Sequence, residues 1–240
     1  CYALARATYG EMALSGVSAV GEFHYLHHQP DGTPYVNPNA MGEAILAAAA
    51  DVGIRITLLD SCYLHGGLSA DGYLPLGEGQ RRFGDGSVDG WAQRVEGLRS
   101  GPLAQIGAAV HSVRAVDPAA IAEVAAWAEG REAPLHVHLS EQPTENEQCA
   151  ASHGCSPTGL LAGLGVLREG LTAVHGTHLT PADVGLLGAA GVGVCMCPTT
   201  ERDLADGIGP SGALAAAGSP LSLGSDSHAV IDMFEEARAV

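Results

Sequence analysis

Leu135-His136-Val137-His138-Leu139-Ser140-Glu141-Gln142 is the stretch whose reading decides the fold: a short apolar strand that runs straight into a histidine and a carboxylate. Alternate side chains of a strand share a face, so His136 and His138 point the same way. Glu141 lies just past the strand end, where a turn can bring it back beside His138. An imidazole able to ligate a metal and a carboxylate able to move a proton then stand at one strand mouth. The pattern recurs: Ala109-Val110-His111, Ala173-Val174-His175 and Leu223-Gly224-Ser225-Asp226 each carry a chemically capable residue at the downstream end of an apolar strand.

Outward from this stretch, helix and strand alternate along the whole chain. Helical spacing runs from Cys1 to Ser15 and from Met41 to Val52, where Gly53 stops it; a further helix is expected over Trp91 to Leu98. Asp117-Pro118, Ser156-Pro157 and Thr180-Pro181 each combine an N-cap side chain with a proline in the first turn, where its missing N–H costs nothing. They open helices after Asp117, near Thr158 to Leu167 and over Pro181 to Ala189. Strands are expected near Val17–Val20, Ile54–Leu59, Gln105–Val110, Leu135–Leu139, Leu171–Val174, Val192–Met196 and Pro220–Leu223. The Gly-rich connection that follows Asp60-Ser61 and reaches about Gly90, and which holds Arg81 and Arg82, is too long for a plain connector and is expected to form part of a binding surface.

Alternating βα units imply a parallel sheet. Polar residues at successive strand ends fit a (β/α)8 TIM-type barrel, whose active site gathers at the C-terminal strand ends. A doubly wound sheet would instead concentrate its signal at one Gly-rich turn, and no G-x-G-x-x-G follows the first strand. Seven strands are counted. The simplest expectation is that an eighth precedes Cys1, making residues 1–240 a single incomplete catalytic barrel domain.

Composition narrows the function. The chain is 46% hydrophobic and 16% charged, as a globular protein is, and its net charge of -16 argues against nucleic acid or an anionic membrane as partner. No lysine occurs among the 11 basic residues, which excludes Schiff-base chemistry and a carboxylated lysine bridging two metals. Six cysteines without a C-x-x-C pair point away from a disulfide scaffold and towards a reducing, cytoplasmic setting. Cys195 and Cys197 share one strand face but lack a second cysteine pair, so core packing is the favoured reading. Neither an apolar run near 18 residues nor a basic-then-apolar leader is found.

His138 and Asp226, at the ends of two strands, offer nitrogen and oxygen to a divalent metal such as zinc. Two ligands are too few for a catalytic zinc, so at least one more must come from elsewhere. Taken singly, His138 could be a buried histidine bonded to backbone and Asp226 a helix cap. Glu141 is placed to shuttle a proton, and His175 to polarise a substrate atom or stabilise developing charge. His178 reads as structural, and His136 is open between a place at the site and packed support.

These residues carry a family resemblance. H-x-x-E at one strand end, a histidine at the next and Ser225-Asp226-Ser227-His228 at the last resemble the amidohydrolase superfamily in its mononuclear aminohydrolase branch. Within it, Gly21-Glu22-Phe23-His24-Tyr25-Leu26-His27-His28, His111-Ser112-Val113-Arg114, Cys197-Pro198-Thr199-Thr200-Glu201 with Asp206-Gly207, and Gly224-Ser225-Asp226-Ser227-His228 resemble the formimidoylglutamate deiminases of histidine degradation. The resemblance implies zinc-activated water attacking a formimidoyl carbon, with release of ammonia. It implies His138 and Asp226 as metal ligands, Asp226 also as the acceptor of the water's proton, Glu141 as the proton donor to nitrogen, and His175 as an assistant. It further implies that Arg114 and His111, with Tyr25, hold the carboxylate of a small anionic substrate, a task suited to a planar arginine fork.

The branch also takes two ligands from an H-x-H on its first barrel strand. The only H-x-H here is His136-Val137-His138, so the first strand and a flanking small β-domain are expected to be missing, and these 240 residues alone to bind metal poorly and to be inactive. A seven-stranded barrel leaves two open edges, which invites association, including homodimerisation. Two rivals remain: a deaminase of a purine, pyrimidine or triazine ring in the same superfamily, and a barrel that binds a ligand without catalysis.

Overall fold

The computed structural model describes residues 1–240. Strands β1 (Ala19–His24) and β2 (Arg55–Cys62) come first, followed by β3 (Gly67–Ser69) and β4 (Gly72–Leu74), then β5 (Ala104–Val110), β6 (Leu135–Leu139), β7 (Leu171–His175), β8 (Gly193–Met196) and β9 (Leu221–Leu223). The helices are α1 (Tyr2–Leu14), α2 (Ala40–Val52), α3 (Val88–Val95), α4 (Pro118–Glu129), α5 (Pro143–His153), α6 (Pro157–Gly163), α7 (Pro181–Ala189), α8 (Pro198–Asp203), α9 (Ser211–Ala217) and α10 (Met233–Ala239). One sheet runs β1-β2-β5-β6-β7-β8-β9, every neighbouring pair parallel and in chain order, with helices between them. This is the (β/α)8 barrel arrangement with seven of its eight strands in the chain. The sheet curls until chain before β1 meets chain after β9: Ser15 Oγ donates to the Ile231 carbonyl at 3.1 Å, and His228 Nε2 lies 3.0 Å from Glu11.

β6 explains why the sheet holds and where its chemistry points. Leu135, Val137 and Leu139 are buried in the main core with residues of α4 and α7 such as Ile121, Val124 and Leu187, while the alternate His136 and His138 take the barrel interior. Burying each of these three aliphatic side chains contributes roughly 1.5–3 kcal/mol. A second, smaller core of Tyr9, Met12, Ile45, Ile54, Ile56 and neighbours joins α1 and α2 to the β1–β2 edge.

Asp117, Ser156 and Thr180 cap their helices as expected: Asp117 accepts from the N–H of Ala119 and Ala120, Ser156 from Gly159, and Thr180 from Asp183. Four details differ from the sequence expectation. Helix α5 fills a stretch with no apolar periodicity, burying only Glu145 and Cys149, and opens at Gln142-Pro143, where no side chain caps it. Helix α8 is a six-residue turn opening at the equally uncapped Cys197-Pro198. α3 starts at Val88 rather than Trp91 because Ser87 caps it. The long β2–α3 connection is ordered, containing the antiparallel β3–β4 ribbon and a 3-10 helix over Glu78–Phe83 that holds Arg81 and Arg82.

Candidate active site

His111, His138, His175 and Asp226 all lie at the downstream ends of β5, β6, β7 and β9. His138 Nδ1 is 2.8 Å from the His111 carbonyl, which can only accept, so the proton sits on Nδ1 and Nε2 keeps its lone pair. Burial, then the neighbouring charge of His175, push the His138 pKa down to about 3 and keep the ring neutral. Its ring stacks on Phe23 at 4.1 Å and on His175 at 5.6 Å. His136 sits lower in the barrel, edge-on to Phe23 at 6.0 Å and lining the cavity at the opposite mouth. Of the two places left open for His136, the structure therefore gives it packed support.

His175 stands between two carboxylates, its buried Nδ1 without a hydrogen-bond partner. Its Nδ1 lies 3.4 Å from Glu201 Oε1 and its Nε2 3.7 Å from Glu141 Oε1. Burial opposes its protonation, but the carboxylates of Glu201, Glu141 and Asp226 outweigh that and raise its pKa. Burial raises the pKa of Glu141 and of Asp226, the first eased down by His175 and Arg114 and the second by His175 and Thr200. The turns that aim these groups are strained. Ser140, His175 and Asp226 all take positive φ (50°, 73° and 42°) without being glycine, at about 1–3 kcal/mol each.

Arg114 leaves β5 to stand between two carboxylates, its Nη2 3.9 Å from Glu141 Oε2 and its Nε 3.8 Å from Glu145 Oε2. Beside it, His111 forms an aromatic wall with Tyr63 at 4.4 Å and Tyr25 at 5.1 Å, and Phe83 of the 3-10 helix closes on Tyr25 at 5.2 Å. The long connection thus contributes to the site through Tyr63 and Phe83. Arg82 takes part only through its carbonyl, which accepts from the N–H of His27 and His28 and fixes the loop that carries Tyr25. His178 is tied down as a structural group, its Nε2 donating to the Asp206 carbonyl at 2.6 Å.

The matching family model is the amidohydrolase family, and it covers residues 1–240. The chain belongs to the amidohydrolase family. Among its relatives, formimidoylglutamate deiminase of Pseudomonas aeruginosa is 38% identical over 234 residues, covering 96% of this chain and 50% of that protein. A crystal structure of an amidohydrolase from Brucella melitensis superposes with a TM-score of 0.93 at 37% identity, over 99% of this chain and 53% of the other. An adenosine deaminase from Xanthomonas campestris with bound zinc superposes with a TM-score of 0.75 at 25% identity, over 98% and 49%. This amidohydrolase chain spans about half the length of the relatives it matches.

The Xanthomonas campestris adenosine deaminase holds bound zinc. The residues present here fit such an ion in part: His138 offers a free Nε2, Asp226 an oxygen, and the set is of the hard nitrogen-and-oxygen kind. A tighter group of ligand-type atoms lies elsewhere, His24, His27 and Asp60, all within 4.8 Å of one another. Asp60 there is already engaged, accepting from Arg94 at 2.7 and 2.8 Å and from Trp91 Nε1 at 3.1 Å, while His27 Nε2 donates to the Ser61 carbonyl at 3.1 Å. A cation would meet the Arg94 guanidinium, so this group reads as a buried ion-pair network.

Sequence reading missed Phe23, Glu145 and Glu201. Glu201 stood inside a quoted motif, but its link to His175 depends on α8 turning back over β7. Glu145 gave no signal beyond lying four residues after Glu141 on an unforeseen helix.

Proposed function

We propose that the complete protein hydrolyses N-formimidoyl-L-glutamate to N-formyl-L-glutamate and ammonia, as a zinc-dependent deiminase of histidine degradation. The observation that carries this reading is Arg114, with His111 and Tyr25 beside it, one residue's reach from Glu141. A guanidinium fork next to a proton shuttle suits an acyclic substrate that carries both a carboxylate and an imine. The similarity of 96% of this chain to about half of a formimidoylglutamate deiminase supports it.

His138 and Asp226 would hold the divalent ion, whose part is to activate water for attack. Asp226, with its raised pKa, accepts the proton of the attacking water. Glu141, also raised, is protonated more readily than an ordinary glutamate and delivers a proton to the departing nitrogen. His175, with Glu201 beside Nδ1 and Glu141 beside Nε2, steadies charge there. Arg114 binds the substrate carboxylate, and Tyr25, Tyr63 and Phe83 wall the pocket.

That same aromatic wall favours a second reading, a ring deaminase, since Tyr25, Tyr63 and Phe83 could stack a heterocycle. Ammonia release from N-formimidoyl-L-glutamate by the full-length protein, beside its Arg114→Ala variant, separates the two. The expected result is turnover, with kcat/KM lowered about 10- to 100-fold in the variant. Deamination of guanine or adenosine with no formimidoylglutamate turnover would transfer the assignment to ring substrates. The 240 residues alone are proposed to bind zinc weakly and to lack activity; a tight stoichiometric zinc site in them would overturn that part.

A further inference from the structure

Glu145 is a buried carboxylate that the reaction does not require. Its side chain is 0% exposed, and neither of its oxygens has a hydrogen-bond partner within ordinary distance. It projects from the first turn of α5 towards Arg114, with Oε2 3.8 Å from Nε, and that Nε is likewise buried without a partner. On its other side it faces the backbone N–H groups of Ser140 and Glu141, in the positive-φ turn that aims Glu141. A carboxylate kept dry in this way is expensive unless a cation or donor faces it. It lies where it touches both the clamp residue and the turn bearing the proton shuttle.

We infer that Glu145 is a positioning residue for Arg114: from beneath, it holds the Nε edge of the guanidinium so that the two terminal nitrogens face the pocket as a fork for the substrate carboxylate. The inference rests on the deiminase reading for its consequence, but not for its geometry. An arginine held at Nε presents its remaining donors in one plane, the arrangement that a bidentate carboxylate contact needs. Without a partner below, the guanidinium is free to turn out of that plane, and the fork is lost.

The test uses the full-length protein and its Glu145→Gln and Glu145→Asp variants, assayed at pH 8, where the carboxyl is ionised. Glu145→Gln should raise KM for N-formimidoyl-L-glutamate on the order of tenfold, with kcat kept within about threefold. Turnover of N-formimidoyl-n-propylamine, which has no carboxylate, should be unchanged. Glu145→Asp keeps the charge and should recover part of the KM, which also covers a Gln variant that fails to fold. A fall in kcat of the same size for both substrates would overturn the inference in favour of a merely structural role. A crystal structure of Glu145→Gln supplies a readout independent of substrate, in which the Arg114 guanidinium is expected to have turned out of its wild-type plane. An unmoved Arg114 would sink the inference. Wild-type protein that does not act on formimidoylglutamate would sink the deiminase reading alone, because the Arg114 displacement is still measured.

Discussion

Away from the exposed surface, two arginines stand between pairs of carboxylates, and they are paired in opposite ways. Arg94, on α3, donates to Asp60 at 2.7 and 2.8 Å and to Asp85 at 2.8 and 2.9 Å, its donors satisfied in a fork on each side. Burial alone would raise the Asp60 pKa, but His27 and Arg94 overcome it and hold the carboxyl below its usual range. Arg114 stands between Glu141 and Glu145 at 3.8–3.9 Å and forms no hydrogen bond to either. There burial wins, and both acids are raised, Glu145 to about 7. A closed network holds the outside of the barrel together, whereas an open one keeps donors available for something that arrives. Residue type does not distinguish them; completeness of pairing does, and with it burial, Arg94 being 5% exposed and Arg114 28%.

That contrast is broken most severely by Arg94→Ala. It leaves Asp60 and Asp85 buried without their cation, and thermal or urea unfolding should show a loss of about 3–5 kcal/mol. Arg114→Ala should cost under about 1 kcal/mol in the same measurement, since Glu145 protonates readily. Equal losses would erase the distinction between the two sites. Glu141→Gln should leave unfolding unchanged and lower kcat of the full-length enzyme by about 10²–10⁴-fold, the range of a lost proton donor. A variant retaining most of its kcat would remove Glu141 from the chemistry.

The smallest expected effect is on the pH dependence of stability. With its pKa raised from 4.5 to about 7, Glu145 binds its proton more tightly in the folded state than in the unfolded one. Between those two values the folded protein therefore carries the extra proton, and the stability contributed by Glu145 falls as pH rises through that window. Wild type measured against Glu145→Gln should lose on the order of 1–3 kcal/mol from pH 5 to pH 8. A difference independent of pH would mean that Glu145 is paired after all.

Much of the barrel was legible because its signals are local. Strand β6 announces itself by alternation, Leu135, Val137 and Leu139 against His136 and His138, and that alternation is the inside–outside division of the barrel wall. Asp117, Ser156 and Thr180 announce helix starts because each side chain satisfies a backbone N–H within three residues. Gln142 and Cys197 make no such bond, so α5 and α8 stayed hidden although each begins with the same proline device. The site followed the same division. The strand-end places of His111, His138, His175 and Asp226 were readable from position alone, while those of Glu145 and Glu201, on the two hidden helices, were not.

By itself the sequence determined the order of strands and helices, the strand mouths at which His111, His138, His175 and Asp226 stand, and the absence of any lysine from the chemistry, because these depend on period, caps and composition within a few residues. Only the tertiary structure decided which charged groups complete one another. Arg94 reaches Asp60 across 34 residues and Arg114 stops short of Glu145 across 31, and no local pattern separates 2.7 Å from 3.8 Å. That distance is set by how α3 and α5 pack on the sheet, and with it whether an arginine is a fastening or an open hand.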